Sequence, residues 1–437
     1  MSNLVGKDGR LFAEQKPGAD ATTFRVDNTS DQYYNSPYYL QHKNQVLPVP
    51  KPRIDPPRMN LADVIGDSAV QAIQAAKQIS FHSVGDTGAT KVGHLADEES
   101  VANMMAADVQ AGGATAPAFF FHVGDVVYNF GEAKYYYDQF YDVYRAYDRP
   151  IFAVPGNHDG VVYGDTSTSK APPSLEAFLR NFCASKPGPS PDTGGLMRSA
   201  MTQPGVYFTL DAPMVSIIGL YSNVLEGPGV ISSQGGKYPV SDAQLQFLEA
   251  ELARLKPSRM AGERAIIIAA HHPPLSADVK HRGSSGISND IDKACQNAGL
   301  WPDAVLSGHA HLYQRFTRRV ANHEIPYIVS GSGGYNAKAD VHAQVPKAPV
   351  TEGDTTLEID PVVEYGYLTV TIDMTSATKQ MTIAFNATKS GTAMKPVRNL
   401  DHVTVDLVKH QLIKTKETVK RPVAKKLVRS SRRPSRR

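Results

Sequence analysis

Five times in this 437-residue chain a short apolar run of strand length stops, and glycine or a metal-competent side chain follows at once. The five blocks are SVGDTG at 83–88, GDVVY at 124–128, GNHD at 156–159, HHPP at 271–274 and GHAH at 308–311. Between them lie stretches with apolar residues at helical spacing, a rhythm that predicts βαβ crossovers and a largely parallel sheet. In open α/β sheets, ligands bind outside the carboxyl ends of the strands. Five such ends offering aspartate, asparagine and histidine therefore predict that these side chains converge.

The periodicities place helices at 63–78, 98–110, 132–147, 174–183 and 242–255. Strand-like runs fall at 79–84, 118–123, 150–154, 206–210, 214–220 and 265–270, then at 304–306, 313–318, 327–330, 367–372, 379–385 and 403–407. Strands dominate the second half, which predicts two sheets packed face to face with helices outside. Residues 1–60 are polar and irregular, with tyrosines clustered at 33–39 and spaced prolines at 48–57 that favour extended backbone. They read as an arm on the core.

Apolar residues make up 41% and charged residues 20%, as in an average folded protein, which excludes wholesale disorder and fibrous classes. No apolar run approaches the roughly 18 residues of a membrane span. Cys183 and Cys295 alone cannot build a disulfide scaffold. With no apolar signal region after Met1, a cytoplasmic location is expected. The net charge of +3 conceals a division: residues 409–437 hold twelve Lys/Arg and one acid, Glu417, leaving 34 bases and 42 acids in the rest. That tail reads either as a solubilising extension or as an attachment to nucleic acid or an anionic membrane face, the latter weakened steeply by salt.

The candidate ligands are Asp86, Asp125, Tyr128, Asn157, His271, His309 and His311. Seven exceed the needs of one tetrahedral ion and suit two ions sharing a carboxylate, which clamp both the attacking and leaving oxygens of an in-line displacement. Oxygen donors mixed with imidazole suit iron, zinc or manganese. Phosphoryl transfer most needs such a clamp, because charge accumulates on the transferred group. Singly, GDTG is an ordinary turn and Tyr128 an ordinary core aromatic; the ordered conjunction at five strand ends favours the metal site. The other histidines, including His82, His94, His122, His281 and His342, read as satisfied core or surface groups.

From about residue 79 to 335 these blocks, in this order, resemble the calcineurin-like metallophosphoesterases, and most of all their purple acid phosphatase branch. GDTG is similar to that branch's GDxG, and GDVVY to its GDxxY. Many other members carry Asp-x-His in the first block, where this chain has Gly88. The resemblance implies a four-layer α/β/β/α sandwich of two mixed sheets over 61–408, between the arm (1–60) and the basic tail (409–437). It implies an Fe(III) site of Asp86, Asp125, Tyr128 and His311, and a divalent site (Fe, Zn or Mn) of Asp125, Asn157, His271 and His309, with Asp125 bridging. The His-x-Pro pattern points to His271 as ligand and leaves His272 beside the substrate. His158 would contact the substrate phosphate or protonate the leaving group, with Asn157 and Asp125 completing the catalytic set. The implied activity is acid-phosphatase-like hydrolysis of phosphate monoesters by a metal-bound hydroxide. The alternative is a phosphodiesterase acting on cyclic nucleotides or nucleic acid at the same metals.

Overall fold

The computed structural model describes residues 46–89, 92–113, 115–162, 173–222, 228–278, 281–335, 347–375, 377–389 and 395–414. Most of the expected arm, up to residue 45, and the expected tail from residue 415 lie outside them. So does His342.

Two mixed sheets form the two inner layers. The seven-stranded sheet runs Gln411–Leu412, Val397–Asp406, Gln380–Ala387, Gly366–Asp373, Gln78–Val84, Pro117–His122 and Ile151–Ala153. Its last three strands are parallel and the others antiparallel. The nine-stranded sheet runs Arg58–Asn60, Phe208–Ala212, Val215–Leu220, Ala265–Ala270, Ala304–Ser307, His323–Ser330, Tyr313–Val320, Thr355–Leu357 and Val350–Glu352. Val215–Leu220, Ala265–Ala270, Ala304–Ser307 and His323–Ser330 run parallel in its middle.

Period-two alternation explains why the sheets stack. Ile79, Phe81, Phe119, Phe121 and Val123 from one sheet meet Ala265, Ile267 and Ala269 from the other in the seam between them. The intervening Ile266 and Ile268 face outward toward Leu248, Leu252, Leu255, Ile287 and Ile291 of the helices Ala243–Met260 and Ser285–Ala298, while Phe120 faces the opposite way onto Tyr144 and Tyr147. A slip of one residue would turn Phe119 and Phe121 out of the seam, so the register is strongly fixed. At roughly 1.5–3 kcal/mol per large apolar side chain buried, that penalty exceeds any single hydrogen bond in the ladder. The result is the four-layer α/β/β/α arrangement.

The helix Ser285–Ala298 and the strands Val350–Glu352 and Thr355–Leu357 are not expected from the sequence, and three expected helices differ from their predicted form. The helix expected at 63–78 is broken into Ala62–Ile65 and Asp67–Ala76 at Gly66, whose φ is 82°. That at 98–110 starts earlier and spans Val92–Ala111. The segment 132–147 forms only a 3-10 turn at Ala133–Tyr135 and a π turn at Tyr137–Tyr141. Its Tyr135, Tyr136, Phe140, Tyr141, Tyr144 and Tyr147 are all buried. With apolar contacts on every side, packing overrides helical propensity there. The sheets also reach beyond 61 and 408: Arg58–Asn60 pairs with Thr209–Asp211, and Gln411–Leu412 with Val405–Asp406. No described helix is long and apolar enough to cross a membrane.

Candidate metal centre

The loops that follow the five strands are tied together by backbone hydrogen bonds. Asp86 N–H donates to Gly124 O (2.9 Å), Thr87 N–H to Asp125 O (3.2 Å) and Gly308 N–H to His271 O (2.9 Å). Asp86, Asp125 and His309 all take left-handed φ values of 58°, 56° and 67°. That conformation is uncommon outside glycine and folds each side chain back over its strand end; functional sites concentrate such strain. Asn157 and His158 open the four-residue helix Asn157–Gly160. Gly156 is required beside them, because a Cβ there would collide with the Asp125 carboxylate.

Seven side chains expected to converge do so, in two groups that share Asp125. In the first, Tyr128 Oη lies 2.9 Å from Asp86 Oδ1, 2.9 Å from Asp125 Oδ2 and 3.4 Å from His311 Nε2. His311 Nε2 is 3.4 Å from Asp86 Oδ1. In the second, His271 Nε2 lies 3.3 Å from Asp125 Oδ2, and Asn157 Oδ1 lies 3.1 Å from both His271 Nε2 and His309 Nδ1. All seven residues are buried. The ligand-type atoms of Asp86, Asp125 and His271 lie within 4.8 Å of one another.

The donor set fits cations. His271 Nδ1 bonds the Val123 carbonyl (2.9 Å), which fixes its tautomer and aims Nε2 at the carboxylates, as the outer bond of a metal-ligating histidine does. Burial would lower His271, but Asp125 and Asp86 raise it to about 9; the two carboxylates demand positive charge. Burial opposes ionisation of Asp125, yet His271 and His158 hold it well below the usual carboxylate range. Burial and the neighbouring imidazoles keep His309 well below its ordinary value, in the neutral form that can donate a lone pair. Burial and the two carboxylates push the Tyr128 phenol up, so only a cation at that point would favour its anion.

The remaining expected residues surround this centre. His158 is half-buried, its ring centroid 4.4 Å from that of Tyr128, and its Nδ1 donates to Asn129 O (2.7 Å). His272 sits 4.1 Å from His309, centroid to centroid, with Nδ1 2.7 Å from Ser222 Oγ. Its Nε2 is buried without a hydrogen-bond partner among the described residues. His122 is a satisfied core group: its Nδ1 accepts from Gly124 N–H (3.1 Å), so Nε2 donates to Thr87 Oγ1 (3.0 Å).

Four residues not singled out in the sequence belong to the site. His281, expected to be an ordinary core or surface histidine, packs against His309 and His311 with centroid separations of 4.7 and 4.9 Å and pairs with Asp278 (2.9 Å). Tyr335 stacks on Tyr128 at 3.8 Å. Gln139, in the widened π turn, grips the Tyr128 peptide: its Oε1 accepts from Tyr128 N–H (2.8 Å) and its Nε2 donates to Tyr128 O. Asp159 accepts from Val126 N–H (3.0 Å) and Gly156 N–H (2.8 Å), joining the loops that carry Asp125 and Asn157. Only Asp159 stood in a visible block; the others carry no local pattern that marks them.

The sequence profile described as calcineurin-like phosphoesterase matches residues 80–313, more than half of the chain. A search of curated proteins gives no match. Among solved structures, GAP50, the anchor in the inner membrane complex of Plasmodium, is similar at 14% identity, over 74% of this chain and 88% of that one, with a TM-score of 0.47. A dimetal phosphatase from Danio rerio is similar at 12% identity, over 74% and 98%, with a TM-score of 0.39. Two mixed sheets, strand-end carboxylates and imidazoles around a cation-demanding centre, and the matched profile agree: this chain belongs to the calcineurin-like phosphoesterase family, hydrolases of phosphate esters.

Proposed function

We propose that the protein hydrolyses phosphate monoesters in the manner of the purple acid phosphatase branch, with Fe(III) held by Asp86, Asp125, Tyr128 and His311, and a divalent ion (Fe, Zn or Mn) held by Asp125, Asn157, His271 and His309. The observation that carries this reading is the phenol of Tyr128 lodged 2.9 Å from both Asp86 and Asp125. A phenolate beside two carboxylates suits a trivalent ion better than an imidazole would. When bound, the ions supply Lewis acidity toward water and positive charge against the phosphoryl oxygens.

The chain's own groups do the rest. Tyr128 and Asn157 are held rigidly, the one by Gln139 and the other within a turn closed by Asp159, so little reorganisation is needed during reaction. His158 Nδ1 is committed to Asn129 O, so Nε2 is the atom that gives a proton to the departing alcohol. The packing of His281 and His272 against His309 supports a role for both in holding ester oxygens.

The test is metal analysis and a visible spectrum on purified protein. Two ions per chain are expected, with a charge-transfer band that vanishes in Tyr128→Phe; a colourless, iron-loaded protein overturns the phenolate reading. Turnover on a monoester is expected to exceed that on a diester, with or without residues 409–437. The reverse order favours the phosphodiesterase. The twelve bases of that C-terminus support a second, anionic partner apart from the substrate.

A further inference from the structure

The end of the sandwich where strands Gln78–Val84, Val215–Leu220 and Ala265–Ala270 begin is about 20 Å from the metal centre, one strand length away. Large apolar side chains stand out in solvent there. Met260 is 63% exposed, Val408 58% and Met197 94%. Two parts of this end carry them, one around Met260 and Val408 and one around Met197. Gly262, two residues after Met260, lies against Val408 and Lys379, and Lys379 Nζ donates to Gly262 O (2.8 Å). Met374 N–H donates to Lys77 O (2.9 Å), at the end of the helix Asp67–Ala76. No residue of that helix is buried; its Ala69, Ala72 and Ile73 line an open groove of about 1110 Å³ with Met197 and Met201.

The groove is lined by Arg145, Arg149 and Arg198 together with Asp63 and Asp148, and Lys77 and Lys379 lie at the same end, so the folded face is of mixed charge. Long-range attraction therefore falls to the chain that leaves it. Gln411–Leu412 lies at the same end, and the 23 residues after Lys414 carry ten bases and one acid. An apolar patch beside a polybasic segment is the combination that a charged bilayer takes up, since stable membrane attachment needs two such signals together.

We infer that this end docks on an anionic lipid surface, with the metal centre facing away into water. The inference rests on the reading of an anionic partner for the C-terminus and identifies that partner as lipid. Nucleic acid is the less favoured source, because phosphate contacts and base stacking would leave Met260 and Val408 without a role.

The test is co-sedimentation of the full chain with phosphatidylcholine vesicles, with and without phosphatidylglycerol, and titration with a DNA duplex. Binding to the phosphatidylglycerol vesicles alone is expected, falling steeply with salt and lost on deleting 415–437. Met260→Ser with Val408→Ser is expected to weaken vesicle binding by about tenfold, from the apolar burial forgone, while leaving duplex binding and turnover of a soluble substrate unchanged. The unchanged turnover certifies folding. Duplex binding tighter than vesicle binding, or vesicle binding indifferent to the two serines, overturns the lipid assignment but keeps an anionic partner. No binding to vesicle or duplex overturns both.

Discussion

A Cβ on Gly88 would lie 2.9 Å from Cδ2 of Tyr128: the phenol ring occupies the space that any side chain at position 88 needs. The same Cβ would be 2.7 Å from Gln139 Oε1 and 3.2 Å from Tyr128 N, so the ring cannot move aside without disturbing the peptide that Gln139 grips. Gly88 and Tyr128 are thus one adaptation. Gly88→Ala is expected to cost about 1–3 kcal/mol, typical of overpacking, and to shift the charge-transfer band by displacing the phenol. A variant as stable as the parent, with the same band and turnover, would show that the ring has room to spare.

His158 carries a prediction that depends on the leaving group. With Nδ1 held by Asn129 O, the proposed mechanism leaves Nε2 to donate the proton. His158→Ala should lower kcat on an alkyl phosphate by about 10²–10⁴-fold and far less on a nitrophenyl ester, whose leaving group needs no proton. Equal losses on both esters would assign His158 to phosphate binding instead.

Away from the site, Arg259 and Asp303 form a buried pair, 1% and 2% exposed at the side chains. Asp303 Oδ2 accepts from Arg259 Nε (2.6 Å) and Ile266 N–H (2.8 Å), while Arg259 Nη1 donates to Leu407 O (2.6 Å). The pair ties the helix Ala243–Met260 to both sheets. Asp303→Ala strands a guanidinium in the interior and is expected to cost about 3–5 kcal/mol in chemical denaturation. A loss below about 1 kcal/mol, the scale of an exposed pair, would contradict the burial.

His122 sets a pH dependence. Burial lowers it to about 3, and it is neutral with both ring nitrogens bonded. Its pKa is depressed below the unfolded value near 6.5, so the unfolded chain binds the extra proton between these values. The stability from keeping it neutral is therefore complete above about pH 6.5 and lost as pH falls toward 3, a few kcal/mol in all. Unfolding free energies of the parent and His122→Asn, followed from pH 7 to 4, should show the steeper acid loss in the parent. Parallel curves would exclude His122 as a contributor.

Much of this protein is decided locally, and that part is legible without coordinates. Short apolar runs of strand length mark residues 79–84, 118–123 and 265–270 as strands, and the backbone pleat alone then sets each side chain's face. Asp86, Asp125 and His271 follow those strands directly, and Asn157, His309 and His311 follow the runs at 150–154 and 304–306, so once the strands align, their meeting is nearly forced. What only the tertiary structure decides is everything that depends on partners distant along the chain. Gln139 reaches Tyr128, and His281 packs on His309, through contacts between separate segments. The tyrosine-rich stretch 132–147 leaves the helix its spacing favours because its rings are buried on all sides. The division of seven side chains into two groups sharing Asp125 comes from how two sheets stack, and apolar burial in the seam, not any pattern within one segment, fixes that stacking.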